Sequence, residues 1–164
     1  MVKELTEDYI WEILEEVIDP EIPVLSLVDL GVIRKVEKKG DGTWKVTMTP
    51  TYTGCPAMNI MELNTRMKLK EKGVQAEVIT VLAPAWTTDW MTQEGRRKLE
   101  EYGIAPPQEG GDQYALFGKG PEVPCPKCKS VDTELVSQFG ATACKSMYKC
   151  NSCHEPFEYF KCHR

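Results

Sequence analysis

Six of the seven cysteines lie between residues 125 and 164 of this 164-residue chain, and their spacing limits how that region can fold. Cys125 and Cys128 form one Cys-x2-Cys pair, and Cys150 and Cys153 form a second pair after 21 intervening residues. Two tight turns with this spacing bring four thiolates to one tetrahedral metal ion, and zinc is the usual ion in such sites. The sequence therefore predicts a structural zinc site. Its metal must supply much of the stability of so short a domain.

The remaining residues of this region that can ligate metals leave more than one interpretation open. Cys144 and Cys162 could pack as apolar side chains, or they could form a second, labile site assisted by His163. The tail cysteines could instead hold an iron-sulfur cluster, which four thiolates also bind. The spacing favours a structural zinc ribbon over a cluster. His154 directly follows a cysteine, and its side chain is expected to point away from the metal.

A segment rich in proline and glycine separates the cysteine-rich tail from the rest of the chain. Residues 105–124 contain four prolines and four glycines, with little apolar periodicity, which is typical of a linker. The sequence thus predicts three parts: a domain at residues 1–104, a linker at 105–124 and a metal-binding domain at 125–164.

In the first domain, stretches with apolar residues at helical spacing alternate with stretches that have the alternating pattern of strands. In chain order these patterns predict a helix capped by Thr6 and ending before Asp19, strands at 33–38 and 43–49, a helix at 57–72 with Pro56 in its first turn, a strand at 76–82 and a helix at 92–102. The order α-β-β-α-β-α predicts a small α+β sandwich with helices on one face of a sheet. The tail should follow as a zinc ribbon, with strands near 133–138 and 146–149.

Composition and charge narrow the class of protein. The formal charge is −5, and neither half of the chain has the excess of basic residues that nucleic-acid binding usually leaves in a sequence. No apolar run has the roughly 18 residues that a membrane helix needs, and the N-terminus does not resemble a secretory signal. We therefore expect a cytoplasmic protein, in whose reducing environment the thiols bind metals or react rather than form disulfides.

Cys55 stands apart from the other cysteines, between a predicted strand and a predicted helix. The unpaired N–H groups and the dipole of a helix N-terminus stabilise a thiolate, so this position predicts a low thiol pKa. The alternative is a buried cysteine that acts as a small apolar side chain.

The sequence lacks the usual signs of an enzyme. It contains no phosphate-binding glycine loop and no GxSxG turn, and both histidines lie in the tail. The Glu-x-x-His pairs of a carboxylate-bridged di-iron oxygenase are also missing. The sequence therefore indicates that this chain does not turn over a substrate by itself.

Several separated motifs, in the same order, resemble the SufT-like iron-sulfur assembly domain. They are DPEIP at 19–23, DLG at 29–31, TPTYTGCPA at 49–57 and PAWTTDWMTQEGRRKL at 84–99. The tail TACKSMYKCNSCHEPFEYFKCH at 142–163 resembles the zinc-binding extension of the PaaD family of phenylacetate degradation.

This resemblance implies an accessory protein that matures the metal centres of the multicomponent phenylacetyl-CoA epoxidase, with its iron-sulfur reductase as the favoured partner. It also implies that Cys55 is the reactive cysteine, which carries iron or a cluster transiently, and that Asp19, Glu21, Asp29 and Thr51 lie near it. Asp19 and Glu21 could ligate iron or could simply cap turns. Capping is the favoured interpretation for Asp29.

Two other functions are weighed against maturation. The chain could be a structural subunit of the epoxidase without an active site of its own. It could also be a ribbon that binds nucleic acid, but the acidic first domain and the neutral tail disfavour this.

Overall fold

The computed structural model describes residues 4–108 and 121–161, which divide into two compact units. The first unit extends to Trp86 and includes Trp90–Gly95, and the second comprises Thr87–Asp89 and the chain from Arg96 onward. The predicted α+β class is confirmed, and so is the order of the helices and strands in the first domain.

The first unit begins with helix α1 (Glu7–Glu15), which starts where the sequence predicts. The Thr6 hydroxyl accepts a hydrogen bond from the backbone N–H of Tyr9 at 3.3 Å, which satisfies one of the free amides of the first turn. The apolar face of α1, formed by Ile10, Ile13 and Leu14, is buried.

A three-stranded sheet forms the centre of the first unit. Its strands are β1 (Ile33–Lys38), β2 (Trp44–Met48) and β3 (Ala76–Thr80), in the order β1-β2-β3. The strands β1 and β2 form the predicted antiparallel hairpin, whereas β2 and β3 run parallel. Helix α2 (Met58–Glu71) is the crossover that this parallel pairing requires.

One valine from each strand aligns across this sheet and is buried. Val36 pairs with Val46, and Val46 pairs with Val78. Burial of such a β-branched row excludes water from the helix-covered face, and it fixes the register of the three strands.

The turn before β1 packs closely against the segment that follows β3. Gly31 has a φ of +75°, and a Cβ atom at this position would lie 2.4 Å from the carbonyl oxygen of Trp90. The indole N–H of Trp86 donates a hydrogen bond to the carbonyl of Leu30 at 3.0 Å. This turn is therefore held by backbone contacts that only glycine permits at position 31.

The second unit contains most of helix α3 (Gln93–Tyr102) and a four-stranded sheet. The strands are β4 (Ile104–Ala105), β5 (Thr133–Ser137), β6 (Lys145–Cys150) and β7 (Pro156–Phe160). They lie in the order β4-β7-β6-β5, with β4 parallel to β7 and the other pairs antiparallel.

The sequence predicted β5 and β6 but not β4 and β7. Strand β7 supplies Phe157 and Tyr159, which pack with Tyr148 in the core of the second unit. Ala105 in β4 is fully buried in the same core, so the predicted boundary between residues 104 and 105 falls inside a strand. The limits of domain and linker drawn from the sequence remain a proposal.

Replacing Gly31 by alanine should destabilise the first unit strongly, because the added Cβ would collide with backbone atoms of Trp90. We expect a loss of about 3 kcal/mol or more in the free energy of unfolding, from clash and positive-φ strain together. All four tryptophans belong to the first unit, so urea unfolding followed by tryptophan fluorescence measures this unit specifically.

Gly42→Ala is the matched control, since Gly42 has a φ of +85° and an added Cβ there would meet no atom within 4 Å. It should cost only about 1 to 2 kcal/mol from backbone strain. Equal losses in the two variants would contradict the proposed close packing at Gly31.

Candidate metal and thiol sites

The two Cys-x2-Cys pairs of the second unit form turns of the same shape. The N–H of Cys125 donates to the carbonyl of Ser130 at 2.9 Å, and the N–H of Cys150 donates to that of Glu155, also at 2.9 Å. The residue after each second cysteine has a left-handed backbone, with φ of 65° at Lys129 and 64° at His154. Each turn therefore directs two thiols to the same side.

The four thiols of these turns converge on one point. The Sγ atoms of Cys125 and Cys153 are 3.7 Å apart, and those of Cys128 and Cys150 are 3.5 Å apart. All four sulfurs lie within 4.8 Å of one another. A tetrahedral ion with metal–sulfur bonds of about 2.3 Å separates its sulfur ligands by about 3.8 Å, so this donor set fits such an ion.

The electrostatics of the four-thiol cluster favour bound metal. The N–H of Cys153 points at the sulfur of Cys150 and lowers the pKa of that thiol to about 7. A thiolate there opposes ionisation of its neighbours, because like charges so close together repel. A divalent cation removes this repulsion, and it allows all four sulfurs to be deprotonated together.

The other tail residues that the sequence singled out stand outside this cluster. Cys144 is buried, and its sulfur lies 3.0 Å from the hydroxyl of Thr142. His154 is exposed and is not among the four ligands. Cys162 and His163 lie outside the described residues, so a second metal site involving them remains a hypothesis.

Cys55 lies in the loop that joins β2 to helix α2. The helix has Ala57 as its N-cap residue, so Cys55 and Pro56 both precede it. The prediction that Pro56 occupies the first helical turn is therefore wrong. The Cys55 N–H donates to the carbonyl of Tyr52 at 3.3 Å, and its own carbonyl accepts from Met58 at 3.2 Å, which closes a tight turn around the thiol.

The predicted low pKa of Cys55 is also wrong. Burial raises the pKa of this thiol, whose residue is only 9% exposed, and the negative charges of Glu21 and Asp19 raise the pKa further. The N–H of Ala57 and the side chain of Tyr52 act in the opposite direction without overcoming burial. Removal from water disfavours the thiolate more than the helix N-terminus stabilises it. The thiol is therefore protonated near neutral pH.

The polar residues expected near Cys55 do not have a single role. Asp19 is buried, and its Oδ1 accepts hydrogen bonds of 2.7 Å from the N–H groups of Glu21 and Ile22, so it caps that turn. Glu21 is half-buried, and Thr51 is buried. The effect of both carboxylates on the pKa of Cys55 places their charges close enough to the sulfur to act on it.

Asp29 serves a different turn. Its carboxylate accepts a hydrogen bond from the N–H of Ser26 at 3.3 Å, while the Ser26 hydroxyl accepts one from the N–H of Asp29 at 2.9 Å. The Thr92 hydroxyl donates to the same carboxylate at 3.2 Å. The interpretation of Asp29 as a capping residue is confirmed.

Two residues of the Cys55 loop were not singled out from the sequence. Tyr52 contacts the thiol through its side chain, and the buried hydroxyl of Thr49 has no hydrogen-bond partner within residues 4–108 and 121–161. The position of Tyr52, three residues before Cys55 in one turn, is the signal that could have revealed it. Within the same residues, the four tail thiols are the one group of three or more Cys, His, Asp or Glu ligands that meet closely enough to hold a metal.

None of the helices in the described part of the chain is long and apolar enough to cross a membrane.

The fold and the two sulfur sites define a class of protein in which an iron-sulfur assembly domain precedes a zinc ribbon. Residues 7–82 match the family model described as iron-sulfur cluster assembly protein, and residues 109–161 match the PaaD zinc beta ribbon domain. The crystal structure of a domain of unknown function, DUF59, from Bacillus anthracis has a similar fold. It has a TM-score of 0.53 and 28% identity, and the match covers 57% of this chain and 90% of that one.

Sequence relatives extend this similarity over nearly the whole chain. A protein of Escherichia coli K12, provisionally named as a subunit of 1,2-phenylacetyl-CoA epoxidase, is 50% identical over 154 residues, which are 93% of this chain and 91% of the relative. An Fe-S protein maturation auxiliary factor of Porphyromonas gingivalis is 41% identical over 96 residues, which are 57% of this chain and 90% of that protein. The chain therefore belongs to the PaaD family.

Replacing Cys150 by serine should remove the metal, because three thiolates and a hydroxyl bind a soft divalent ion far less tightly than four thiolates. We expect about one metal ion per wild-type chain and nearly none in the variant, with loss of ordered structure in the second unit. Elemental analysis and limited proteolysis with peptide mapping measure the two effects.

Cys144→Ser is the control, since it also removes one buried thiol of the second unit but not one of the four ligands. It should keep the metal. Loss of metal in this control, or full retention in Cys150→Ser, would contradict the assigned ligand set.

Alkylation of Cys55 by iodoacetamide should follow a pH profile shifted upward from that of an ordinary thiol, because only the thiolate reacts. Glu21→Gln should move the profile to lower pH, since it removes one negative charge from the surroundings of the sulfur. Mass spectrometry of the peptide that contains Cys55 measures the rate at each pH. A profile below the ordinary thiol range, or one unchanged in Glu21→Gln, would exclude this electrostatic description.

Proposed function

We propose that this chain is an accessory maturation protein that delivers iron, or an iron-sulfur cluster, to phenylacetyl-CoA epoxidase through Cys55. The observation that carries the proposal is the placement of this single buried thiol beside two carboxylates in an iron-sulfur assembly fold. The provisional name of the Escherichia coli relative supports the choice of epoxidase, and its iron-sulfur reductase is the favoured recipient.

The surroundings of Cys55 suit reversible binding of a cation. Near neutral pH the thiol keeps its proton, since burial and the charges of Asp19 and Glu21 disfavour the thiolate. An iron ion reverses this balance, because a positive charge at the sulfur is stabilised by the same carboxylates. Binding forms one iron–sulfur bond and releases the thiol proton, and release of iron takes the proton back.

The bond to a single protein thiolate also favours transfer. One sulfur ligand holds iron less tightly than the three or four protein ligands of a finished site, so a recipient with more ligands takes the cargo. The Tyr52 side chain and the Ala57 N–H interact with the sulfur and would support its charged form while iron is bound. None of these steps needs a general base, which agrees with the lack of histidine before residue 154.

We assign the four tail thiols to a structural zinc ion rather than to the cargo. The support is the closed tetrahedral donor set and the match to a zinc ribbon model. A metal enclosed by four cysteines has no open position for exchange, so it holds the second unit together and does not take part in transfer.

A structural subunit of the epoxidase is the second candidate function, and the subunit wording in the name of the Escherichia coli relative favours it. A subunit would remain bound to the catalytic chains in fixed proportion, whether or not Cys55 is present. A maturation protein would leave after delivery.

The proposal is tested with protein purified without oxygen and then incubated with ferrous iron and sulfide. The wild type should retain iron that Cys55→Ala does not retain, and both should keep zinc. When each is mixed with the apo form of the epoxidase reductase, cluster formation in the reductase should fall with Cys55→Ala to the level seen without added protein. Absorption spectroscopy and elemental analysis provide the readouts.

Cys144→Ala is the control, because Cys144 is also a buried single thiol but lies in the second unit. It should transfer iron as the wild type does. Equal cluster formation with Cys55→Ala and wild type would reject the carrier role. Stable one-to-one copurification of both with the epoxidase would then support the subunit function.

A further inference from the structure

Helix α2 has apolar side chains on two opposite faces. Met61, Thr65 and Leu69 are buried in the first unit. Ile60, Leu63 and Met67 lie on the opposite side, where they are 51%, 55% and 60% exposed. Spacings of three and four residues place these three side chains in one row, which we call the α2 ridge.

Because its three side chains are more than half exposed, the α2 ridge contributes little to the packing of the described part of its own unit. A helix that covers one face of a sheet needs a single apolar stripe, and the outward face is normally polar. Single exposed apolar residues are common on protein surfaces, but a row over two helical turns is the pattern by which one helix recognises another. The ridge spans about 10 Å, from the 1.5 Å rise per residue of an α-helix.

The charge around the ridge is positive, although the chain as a whole carries −5. Residues 58–72 contain four basic and two acidic side chains, a net charge of +2. Lys68 is paired with both Glu71 and Glu16, Lys72 is paired with Glu16, and Arg66 is paired with Glu62. Lys70 is exposed and has no ion pair with any residue of the described ranges 4–108 and 121–161.

A groove lies at the C-terminal end of helix α2. Arg66, Lys70 and residues 73–76 line this groove, which has a volume of about 570 Å³. Lys70 follows Met67 by one helical turn, so the unpaired ammonium group borders both the apolar row and the groove. A partner that covers the ridge therefore meets an unneutralised positive charge at one end.

We propose that the α2 ridge docks an amphipathic helix with acidic side chains beside its apolar face, and that this helix belongs to the protein that receives iron from Cys55. The recipient part of this inference rests on the proposed function. The apolar row selects a helix about two turns long, and Lys70 favours an acidic residue at the groove end.

The position of the ridge supports this occupant. Ile60 follows Cys55 by five residues and lies in the first turn of α2, so the ridge begins within the same crossover that carries the proposed carrier thiol. A second copy of this chain fits less well, because two ridges in contact would bring two helices of net positive charge together.

The test uses the full metal-loaded chain and two fluorescein-labelled helical peptides of about 20 residues, a length that allows stable helix formation. Both peptides carry the same leucine face, flanked by glutamate in one and by lysine in the other. Fluorescence anisotropy should show binding of the glutamate peptide that is about tenfold or more tighter than that of the lysine peptide.

Variants then locate the binding site. Met67→Glu and Lys70→Glu should each weaken binding of the glutamate peptide by about tenfold. The matched controls are Val136→Glu and Lys149→Glu, which introduce the same changes at exposed positions of the second unit. They should bind as the wild type does. Unchanged tryptophan fluorescence confirms that the two α2 variants are folded, and retention of the metal confirms that the two second-unit controls are folded.

Equal binding of both peptides, or no loss in either α2 variant, would overturn the proposal. Sedimentation velocity could also overturn it. A concentration-dependent dimer that is dissociated by Met67→Glu would show that a second copy of this chain occupies the ridge. The peptide assay contains no iron, so Cys55→Ala should bind as the wild type does. The two proposals can fail separately. If Cys55→Ala loses iron transfer while the α2 variants bind the peptide as the wild type does, the carrier function is retained and the docking site is rejected.

Discussion

The parallel pairing of β2 with β3 is the constraint on which the first unit depends. Two parallel strands cannot be joined by a tight hairpin, so the chain must cross from the end of β2 to the start of β3 on one face of the sheet. The loop that starts this crossover carries Cys55, and helix α2 forms the rest of it. The same topological requirement thus places the thiol in the loop between β2 and α2 and exposes the outer face of α2.

Burial then decides the chemistry of Cys55. A thiol just before a helix would ordinarily ionise more easily, but loss of water and two nearby carboxylates raise its pKa. The Cys55 thiol is therefore neutral near pH 7, unlike the ionised thiol of a nucleophilic cysteine. In the function that we propose, a cation bound at this sulfur would convert the thiol to a thiolate ligand.

The second unit depends on metal ligation more than on burial. Its four thiols lie so close together that ionisation of all four at once requires a cation, and the two turns that hold them share the same hydrogen bonds and left-handed residues. Strands β5 and β6 connect these turns, β7 follows the second turn, and the aromatic residues of β6 and β7 provide a small core. Metal ligation and this core together stabilise a sheet that would be marginal alone.

The sequence by itself determined what depends on local spacing. The Thr6 cap, the hairpin, the order of the elements in the first domain and the two Cys-x2-Cys pairs of the tail all follow from residues near one another in the chain. Only the tertiary structure decided the burial of Cys55 and the action on its thiol of Asp19 and Glu21, which lie more than 30 residues away. It also decided that Ile60, Leu63 and Met67 remain exposed, because which face of an apolar helix is covered depends on contacts with distant segments.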